Sequence, residues 1–174
     1  MTSIIRNTRR LIKEILLTVA PAVALSLFIN VYIAGATVVD GPSMQPNLYG
    51  EYRVMTERVS YHLHLPRRGD VVVVDRPKGA IPLVKRVVAL PGEVVEVRDG
   101  HLRINDVPIR EPWVRYWGGR DYPPSIVPFG HVFVMGDNRA VSRDSRDIGP
   151  VSLDLVKRRV MFIFWPLDKI GFMP

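Results

Sequence analysis

Cysteine is absent from this 174-residue sequence, and histidine occurs only four times. A chain without cysteine has no disulfide framework, no thiolate metal site and no thiol nucleophile. Internal repeats and low-complexity tracts are lacking as well. The fold must therefore rest on an ordinary hydrophobic core, for which an apolar content of 47% is sufficient. The composition permits an oxidising compartment without requiring one.

Acidic residues are outnumbered, because 17 Asp and Glu face 24 Lys and Arg and leave a formal net charge of +7. A nucleic-acid binder normally concentrates such an excess in one stripe or on one helix. In this chain the basic residues are scattered over predicted strands and loops. We therefore predict no nucleic-acid partner and expect attraction to anionic lipid instead.

Charged side chains are missing altogether from residues 15–39, a run of 25 residues. At about 1.5 Å per residue, a helix of this length crosses the roughly 30 Å of hydrocarbon in a bilayer. The basic residues before it are Arg6, Arg9, Arg10 and Lys13, and no comparable cluster follows immediately, so the positive-inside rule places the N-terminus in the cytoplasm. The sequence predicts a cytoplasmic basic N-terminus over 1–14, a transmembrane helix in the cell membrane over 15–39, and an extracytoplasmic domain over 40–174.

The same run is also compatible with a cleavable export signal, because Ala34-Gly35-Ala36 has the small-x-small form of a cleavage site. A signal core is usually about 7 to 15 residues long, and this run is longer. In either case the domain that follows lies outside the cytoplasm.

The domain beyond residue 40 has the pattern of a mainly β, antiparallel fold. Short segments rich in Val, Ile and aromatic residues, separated by Gly or Pro, predict strands. These segments are 52–59, 70–75, 83–90, 93–98, 101–105, 131–135 and 156–164. Asp99-Gly100 predicts a two-residue hairpin turn, because both residues tolerate positive φ. Residues 111–130, rich in Gly and Pro, predict an irregular excursion.

A Pro-bounded loop, Gly41-Pro42-Ser43-Met44-Gln45-Pro46, follows directly on the apolar run. Serine in such a loop is ordinarily a turn residue. Its place beside the predicted membrane, and a glycine that permits close approach of another chain, also suit a nucleophile that attacks a docked peptide. Pro42 and Met44 are expected to form part of a substrate or membrane loop. Trp113 and Trp117 are expected either at the membrane interface or in the core.

A serine nucleophile needs a base. The histidines, His62, His64, His101 and His131, lie in no recognisable triad or zinc motif and are expected at surface or packing positions. Lys85 is the stronger candidate, because strand alternation places it on one face with Leu83 and Val87. Desolvation on an apolar face lowers the pKa of a lysine, whereas an arginine would stay protonated. The alternative is a lysine that extends to solvent from a sheet edge.

A third segment, residues 136–146, reads Gly-Asp-Asn-Arg-Ala-Val-Ser-Arg-Asp-Ser-Arg. Taken alone it has the composition of a charged surface loop. Together with Gly-Pro-Ser-Met-Gln-Pro at 41–46 and Lys-Arg-Val-Val-Ala-Leu-Pro-Gly at 85–92, it resembles bacterial type I signal peptidase, a Ser/Lys membrane peptidase. The resemblance covers nearly the whole chain and includes the order of the three motifs.

The resemblance implies roles for individual residues. Ser43 corresponds to the nucleophile, Lys85 to the general base, and Ser142 to a serine that orients the lysine amine. The residues that correspond to a supporting network of ion pairs and hydrogen bonds are Asp137, Asp144 and Arg146, with Arg86 expected to pair with Asp137. Two positions depart from the family pattern. Gly41 stands where some members have a serine that donates to the oxyanion, and Val141 stands where asparagine is common.

The function that the resemblance implies is removal of N-terminal signal peptides from exported preproteins, with cleavage after a small residue in an Ala-x-Ala type site. It implies no metal and no cofactor. A specialised pilin or conjugation peptidase of the same fold is an alternative, and an inactive membrane-tethered binding module is another. A Ser/Lys autoprotease of the SOS-repressor type would carry a DNA-binding helical domain, which this sequence does not predict.

Overall fold

The structure, a computed structural model, describes residues 2–29, 33–76 and 80–173. The chain forms two compact units, residues 1–35 and residues 36–174. The side chains of Arg6, Arg9 and Arg10 lie outside the described part, as do residues 30–32 of the predicted membrane helix.

The first unit contains helix α1, Thr2–Phe28, with Pro21 inside it. Within the described residues, no helix combines the length and the apolar character that crossing a bilayer requires. The end of the predicted membrane helix differs from the structure, because Ala34–Val38 form strand β1 rather than helix. Glycine and the β-branched residues Thr37 and Val38 are weak helix formers, which favours the extended conformation there.

The second unit is built mainly of short strands. After β1 they are β2 (Arg53–Glu57), β3 (Val71–Val74), β4 (Leu83–Ala89), β5 (Val94–Arg98), β6 (His101–Ile104), β7 (Val107–Pro108), β8 (Tyr122–Ile126), β9 (His131–Met135), β10 (Val151–Ser152), β11 (Val156–Trp165) and β12 (Gly171–Phe172). Two short helices, α2 (Ser60–Leu63) and α3 (Ser145–Ile148), and two 3₁₀ turns, Leu153–Leu155 and Leu167–Lys169, complete the unit.

The strands form two sheets. The larger follows the order β1-β2-β11-β3-β4-β9-β10, with β12 also paired to β11, and the smaller follows β7-β6-β5-β8. The central pairs β2/β11, β11/β3, β3/β4 and β4/β9 are all antiparallel. The prediction of a mainly antiparallel β domain is confirmed, and each predicted strand is present with its ends displaced by no more than a few residues.

Strand β4 lies inside the larger sheet, between β3 and β9. Its residues 84–89 are all buried, and so is the whole of β3. Val84 packs with Met44 and Leu48 in one apolar cluster, whereas Val87 packs with Val134 in another. Both faces of β4 are therefore covered, and the alternative that places Lys85 at a sheet edge is wrong.

The small sheet includes one confirmed turn and one strand that was not predicted. Asp99 and Gly100 have φ values of 52° and 77° at the tip of the β5/β6 hairpin, as the turn chemistry predicts. The prediction that 111–130 is irregular throughout is wrong, because Tyr122–Ile126 form β8 and pair with β5. The strand tolerates Pro123 and Pro124 because it lies at the edge of its sheet.

Candidate active site

The Ser43 loop is a tight turn followed by one turn of helical backbone. The Gln45 N–H donates to the Pro42 carbonyl at 3.1 Å, and the Leu48 N–H donates to the Met44 carbonyl at 2.9 Å. Met44 and Leu48 are fully buried in the core cluster that also contains Val84. Ser43 is half-buried and Pro42 is exposed. The loop is thus held in place by its own apolar side chains, and the expectation of a membrane-facing Met44 is wrong.

Lys85 is buried, with 2% of its surface exposed. It lies opposite Val72 on β3, and its alternate neighbours Leu83 and Val87 pack in the same cluster as Val72. Burial lowers the pKa of Lys85 from 10.5 to about 8; the charges of Asp144 and Asp137 oppose this shift, and Arg146 adds to it. Among the described residues, no carboxylate forms an ion pair with the Lys85 amine, because these two aspartates pair with arginines instead.

Asp137 is paired with Arg86, the residue after Lys85. The Arg86 Nε donates to Asp137 Oδ1 at 2.8 Å and its Nη2 donates to Oδ2 at 2.7 Å, with both side chains 1% exposed. Arg86 also donates to the Gly69 carbonyl at 2.9 Å, and its guanidinium lies 4.7 Å from the ring centroid of Trp113. The predicted ion pair is present, and it fixes the direction of β4 beside Lys85.

Asp144 is held by Arg146 in a second two-pronged pair. The Arg146 Nε and Nη2 donate to Asp144 Oδ1 and Oδ2 at 2.9 and 3.0 Å, and the Gly136 N–H donates to Oδ2 at 3.0 Å. Desolvation, the largest single influence, raises the pKa of Asp144, but the hydrogen bonds and charge of Arg146 outweigh it and hold the pKa below its usual range. Both carboxylates near Lys85 are therefore paired with arginine.

Gly136 is the point where the separate motifs meet. A Cβ on Gly136 would lie 2.3 Å from Ser142 Oγ and 2.4 Å from the carbonyl oxygen of Ser43. The Asn138 N–H donates to that same Ser43 carbonyl at 3.0 Å, and the Ser142 N–H donates to the Asn138 carbonyl at 3.1 Å. Segment 136–144 thus contacts the Ser43 loop and supplies the two carboxylates whose charges act on Lys85.

The Ser142 hydroxyl is buried in this contact region, with 9% of the residue exposed. Its oxygen forms no hydrogen bond of normal geometry with the described residues. It lies near enough to Asp144 to contribute, as the smallest of several influences, to the lowered pKa of that carboxyl. An unpartnered hydroxyl at this position is available to a lysine amine or to a bound substrate.

The histidines are distributed over the domain. His62 lies in α2, Ser60–Leu63, and His64 follows this helix; the Glu57 carboxylate accepts a hydrogen bond from the Ser60 N–H at 2.8 Å. The His101 ring lies 4.9 Å from the Trp117 ring. In the described part of the chain, no group of three His, Asp or Glu side chains is arranged to hold a metal ion.

Comparison with known proteins identifies the family of this chain. Residues 12–165 match the family described as signal peptidase, peptidase S26. The chain belongs to this family. A signal peptidase I from Leptolyngbya laminosa is 34% identical over 162 residues, which cover 88% of this chain and 80% of that protein. A signal peptidase I from Bacillus licheniformis is 33% identical over 162 residues, which cover 86% of each protein.

Among solved structures, a signal peptidase I from Enterococcus faecalis V583 is 32% identical, with a TM-score of 0.48, and the match covers 54% of this chain and 95% of that one. The sequence relatives and the family match together make the chain a hydrolase, a serine peptidase of the signal peptidase I type.

One contact of this signal peptidase involves Asn47, which the sequence does not single out. Its Nδ2 donates to Asp137 Oδ2 at 2.7 Å and to the Trp113 carbonyl at 2.9 Å. Asn47 follows Ser43 in the same loop, so its side chain ties that loop to the Arg86–Asp137 pair. An amide inside a loop carries no sequence signal for such a role, because its partners are distant in the chain.

A second buried pair, Arg139 with Glu111, supports the same segment. Both Nη atoms of Arg139 donate to the Glu111 carboxylate, and its Nε donates to the Gly136 carbonyl at 3.0 Å. The side chains are 1% and 0% exposed. Arg139 belongs to a motif that the sequence identifies, but Glu111 lies in a segment without regular pattern and is recognisable only from its contact.

Replacing Asn47 with alanine is expected to lower the free energy of unfolding by about 1–3 kcal/mol, because the buried Asp137 carboxylate and the partly buried Trp113 carbonyl lose a donor. Urea denaturation followed by tryptophan fluorescence measures the change. Ser125→Ala is the matched control, since it removes only an exposed hydrogen bond from Ser125 Oγ to the Pro123 carbonyl. That control should shift the free energy by no more than about 0.5 kcal/mol. Equal, small shifts in both variants would contradict the role of Asn47.

Proposed function

We propose that this signal peptidase removes N-terminal signal peptides from exported preproteins, with Ser43 as the nucleophile and Lys85 as the general base. The observation that carries the proposal is the state of Lys85. Its amine is buried, its pKa is lowered to about 8, and both nearby carboxylates are occupied by arginines. A lysine in these surroundings gives up its proton far more readily than one in water, and a neutral amine accepts a proton.

The proposed reaction begins when neutral Lys85 takes the proton of Ser43 Oγ while that oxygen attacks the carbonyl carbon of the scissile bond. The resulting ammonium then donates its proton to the leaving nitrogen as the carbon–nitrogen bond breaks. This step releases the mature protein and leaves the signal peptide as an ester on Ser43. Lys85 next takes a proton from water, whose oxygen attacks the ester, and returns it to Ser43 Oγ. Ser142 is proposed to hold the amine through its unpartnered hydroxyl.

The oxyanion of each tetrahedral intermediate is proposed to accept a hydrogen bond from the Ser43 N–H. No described residue accepts a hydrogen bond from this N–H, so it is available. Gly41 brings no side-chain donor, and nothing lies within 4 Å of the position where its Cβ would be. Because loss of one donor can cost about 3–4 kcal/mol of transition-state stabilisation, we assign the Ser43 N–H the larger share of this role.

The substrate is proposed to add as an extended strand beside β1. This strand ends the order of the large sheet and leads, through Val39 and Asp40, into the Ser43 loop. Its outer edge has no paired strand among the described residues. The edge strands β7 and β8 of the other sheet contain prolines, which obstruct such pairing. A membrane anchor, proposed from the part of the uncharged run that precedes β1, would present a preprotein in the same membrane to this edge.

The decisive experiment is cleavage of a preprotein with an Ala-x-Ala site by the purified full-length chain in detergent, with N-terminal sequencing of the product. We expect a single cut after the second alanine. Ser43→Ala should abolish cleavage, whereas Ser125→Ala, which changes a half-buried serine on β8, should cleave at the unmodified rate. Persistent cleavage by purified Ser43→Ala would disprove the assignment of the nucleophile.

The pH dependence of the free enzyme follows from Lys85. Below its pKa the amine is protonated and cannot act as a base, so kcat/KM should rise by about tenfold per pH unit and level off above about 8. Initial rates on a peptide without groups that titrate between pH 6 and 9 measure the profile. A rate that is flat over this range would exclude a base with the lowered pKa of Lys85.

A further inference from the structure

A cavity of about 540 Å³ lies next to Ser142. Ser142 lines it, and its charged walls are Arg120, Arg139, Arg143, Arg146 and Asp147. Four cationic side chains thus face one carboxylate. Because Ser142 is proposed to hold the Lys85 amine, a group that enters this cavity comes next to a residue of the proposed site.

Two of these arginines form ion pairs with buried carboxylates of the same domain. Arg139 gives both Nη atoms to Glu111, and Arg146 gives Nε and Nη2 to Asp144. Their side chains are 1% and 2% exposed. Neither guanidinium can turn toward a ligand without leaving a buried carboxylate unpaired. Both side chains therefore line the cavity without binding a ligand through their charge.

The remaining charges lie at the surface. Arg120, with 80% of its side chain exposed, has its Nη1 3.1 Å from Asp147 Oδ1. Arg143 is exposed and forms neither an ion pair nor a hydrogen bond with the described residues. The uncompensated positive charge of the cavity is therefore that of Arg143, one residue after Ser142.

The floor of the cavity is closely packed. A Cβ on Gly119 would lie 2.3 Å from both the Arg139 carbonyl oxygen and Arg146 Nη1, so the backbone at Gly119 packs directly against Arg139 and Arg146. Arg146 Nη1 also donates to the Gly118 carbonyl at 3.2 Å. Val141, 57% exposed, adds an apolar surface. A cationic rim beside an apolar surface suits a carboxylate on a short aliphatic stem.

We propose that Arg143 binds an acidic side chain of the preprotein close to the scissile bond and makes this peptidase favour substrates with Glu or Asp there. The inference rests on the proposed function, since it names a feature of that substrate. Arg143 acts on substrate choice and takes no part in the proton transfers.

The test uses peptides that share one Ala-x-Ala site and differ at a single position, which carries Gln, Glu or Lys in turn, on either side of the cut. At one or two positions the unmodified enzyme should cleave the Glu peptide about two- to fivefold faster than the Gln peptide in kcat/KM, as expected of an exposed charge pair at low salt. Arg143→Glu should reverse the order and favour Lys at the same positions.

The matched control is Arg115→Glu, another exposed arginine, which lines a different cavity and should keep the preference for Glu. Absence of any preference in the unmodified enzyme, or an unchanged preference in Arg143→Glu, overturns the proposal. An effect of Arg143→Glu that appears only with anionic phospholipid vesicles, and with every peptide alike, also overturns it in favour of a lipid headgroup. Failure to cleave even the Gln peptide would instead refute the proposed function.

Discussion

Replacing Lys85 with methionine is expected to lower kcat/KM for a preprotein by about 10²- to 10⁴-fold, the usual contribution of a general base. Methionine is unbranched, as lysine is, and fills irregular apolar space, but it has no amine. The substitution therefore removes the base while leaving the packing of β4 between β3 and β9 nearly unchanged. Cleavage of the Ala-x-Ala preprotein measures the loss.

The same substitution should increase the stability of the protein. Lys85 has a pKa of about 8 in the folded protein against 10.5 when unperturbed, so the folded state binds its proton less tightly than the unfolded state. This penalty is fully present below pH 8 and disappears as the pH rises above 10.5. At pH 7 it amounts to about 3 kcal/mol, and methionine removes it. Urea denaturation at pH 7 and pH 10 should show a much larger stabilisation at the lower pH.

Lys85→Arg keeps the positive charge at this position but removes a group that can act as a base. Arginine remains protonated in proteins, so this variant should be as inactive as Lys85→Met but less stable, because it keeps a buried charge and adds volume. Substantial cleavage by either variant would exclude Lys85 as the base. A Lys85→Met protein that is less stable than the original at pH 7 would show that the amine has stabilising partners and is not merely desolvated.

The strands were predictable because their residue types and turn residues favour strand structure locally. Runs such as Val71–Val74 and Leu83–Ala89 are β-branched and apolar, and Asp99-Gly100 suits the turn between β5 and β6. Strand β8 was not predictable, because Pro123 and Pro124 argue against a strand unless one knows that it lies at a sheet edge. Whether a segment lies at a sheet edge depends on the topology of the whole domain, and the local residue pattern does not reveal it.

Some features of the candidate site were likewise predictable from the sequence, and others were not. The three motifs place Ser43, Lys85 and Ser142 in the chain, and strand alternation correctly assigns Lys85 to the face of Leu83 and Val87. The orientation of the Ser43 loop was not predictable, and Met44 proved to be core rather than membrane-facing. An apolar residue beside an apolar run is compatible with either environment, and only the packing of the loop on Leu48 and Val84 decides.

Two aspartates and two arginines determine the electrostatic surroundings of Lys85. Asp137 and Asp144 both attract the Lys85 ammonium and would raise its pKa, yet each is held by its own arginine through two hydrogen bonds. Desolvation of Lys85 is then the stronger influence. Each carboxylate is thus paired with an arginine and not with the lysine, and burial keeps the pKa of Lys85 lowered.

Replacing Gly136 with alanine should also lower the activity strongly. The added Cβ would lie 2.3 Å from Ser142 Oγ, 2.6 Å from Ser142 Cβ and 2.4 Å from the Ser43 carbonyl oxygen. One of these neighbours is backbone, so the clash cannot be relieved by rotating a flexible side chain. The Ser43 loop and segment 136–144 must move apart, and a displacement of about 1 Å near reacting groups can cost about 100-fold in rate.

The fold should survive this change at a cost of about 1–3 kcal/mol, the usual penalty for overpacking. Gly136 does not have the left-handed φ that favours glycine, so alanine can adopt its backbone conformation and the effect is steric. Gly171→Ala is the matched control, because it too lacks a positive φ and has no atom within 4 Å of the added Cβ. We expect Gly136→Ala to lose about 100-fold in kcat/KM while Gly171→Ala remains fully active. Normal cleavage by Gly136→Ala would show that the contact between the Ser43 carbonyl and Ser142 does not set the geometry of the reaction.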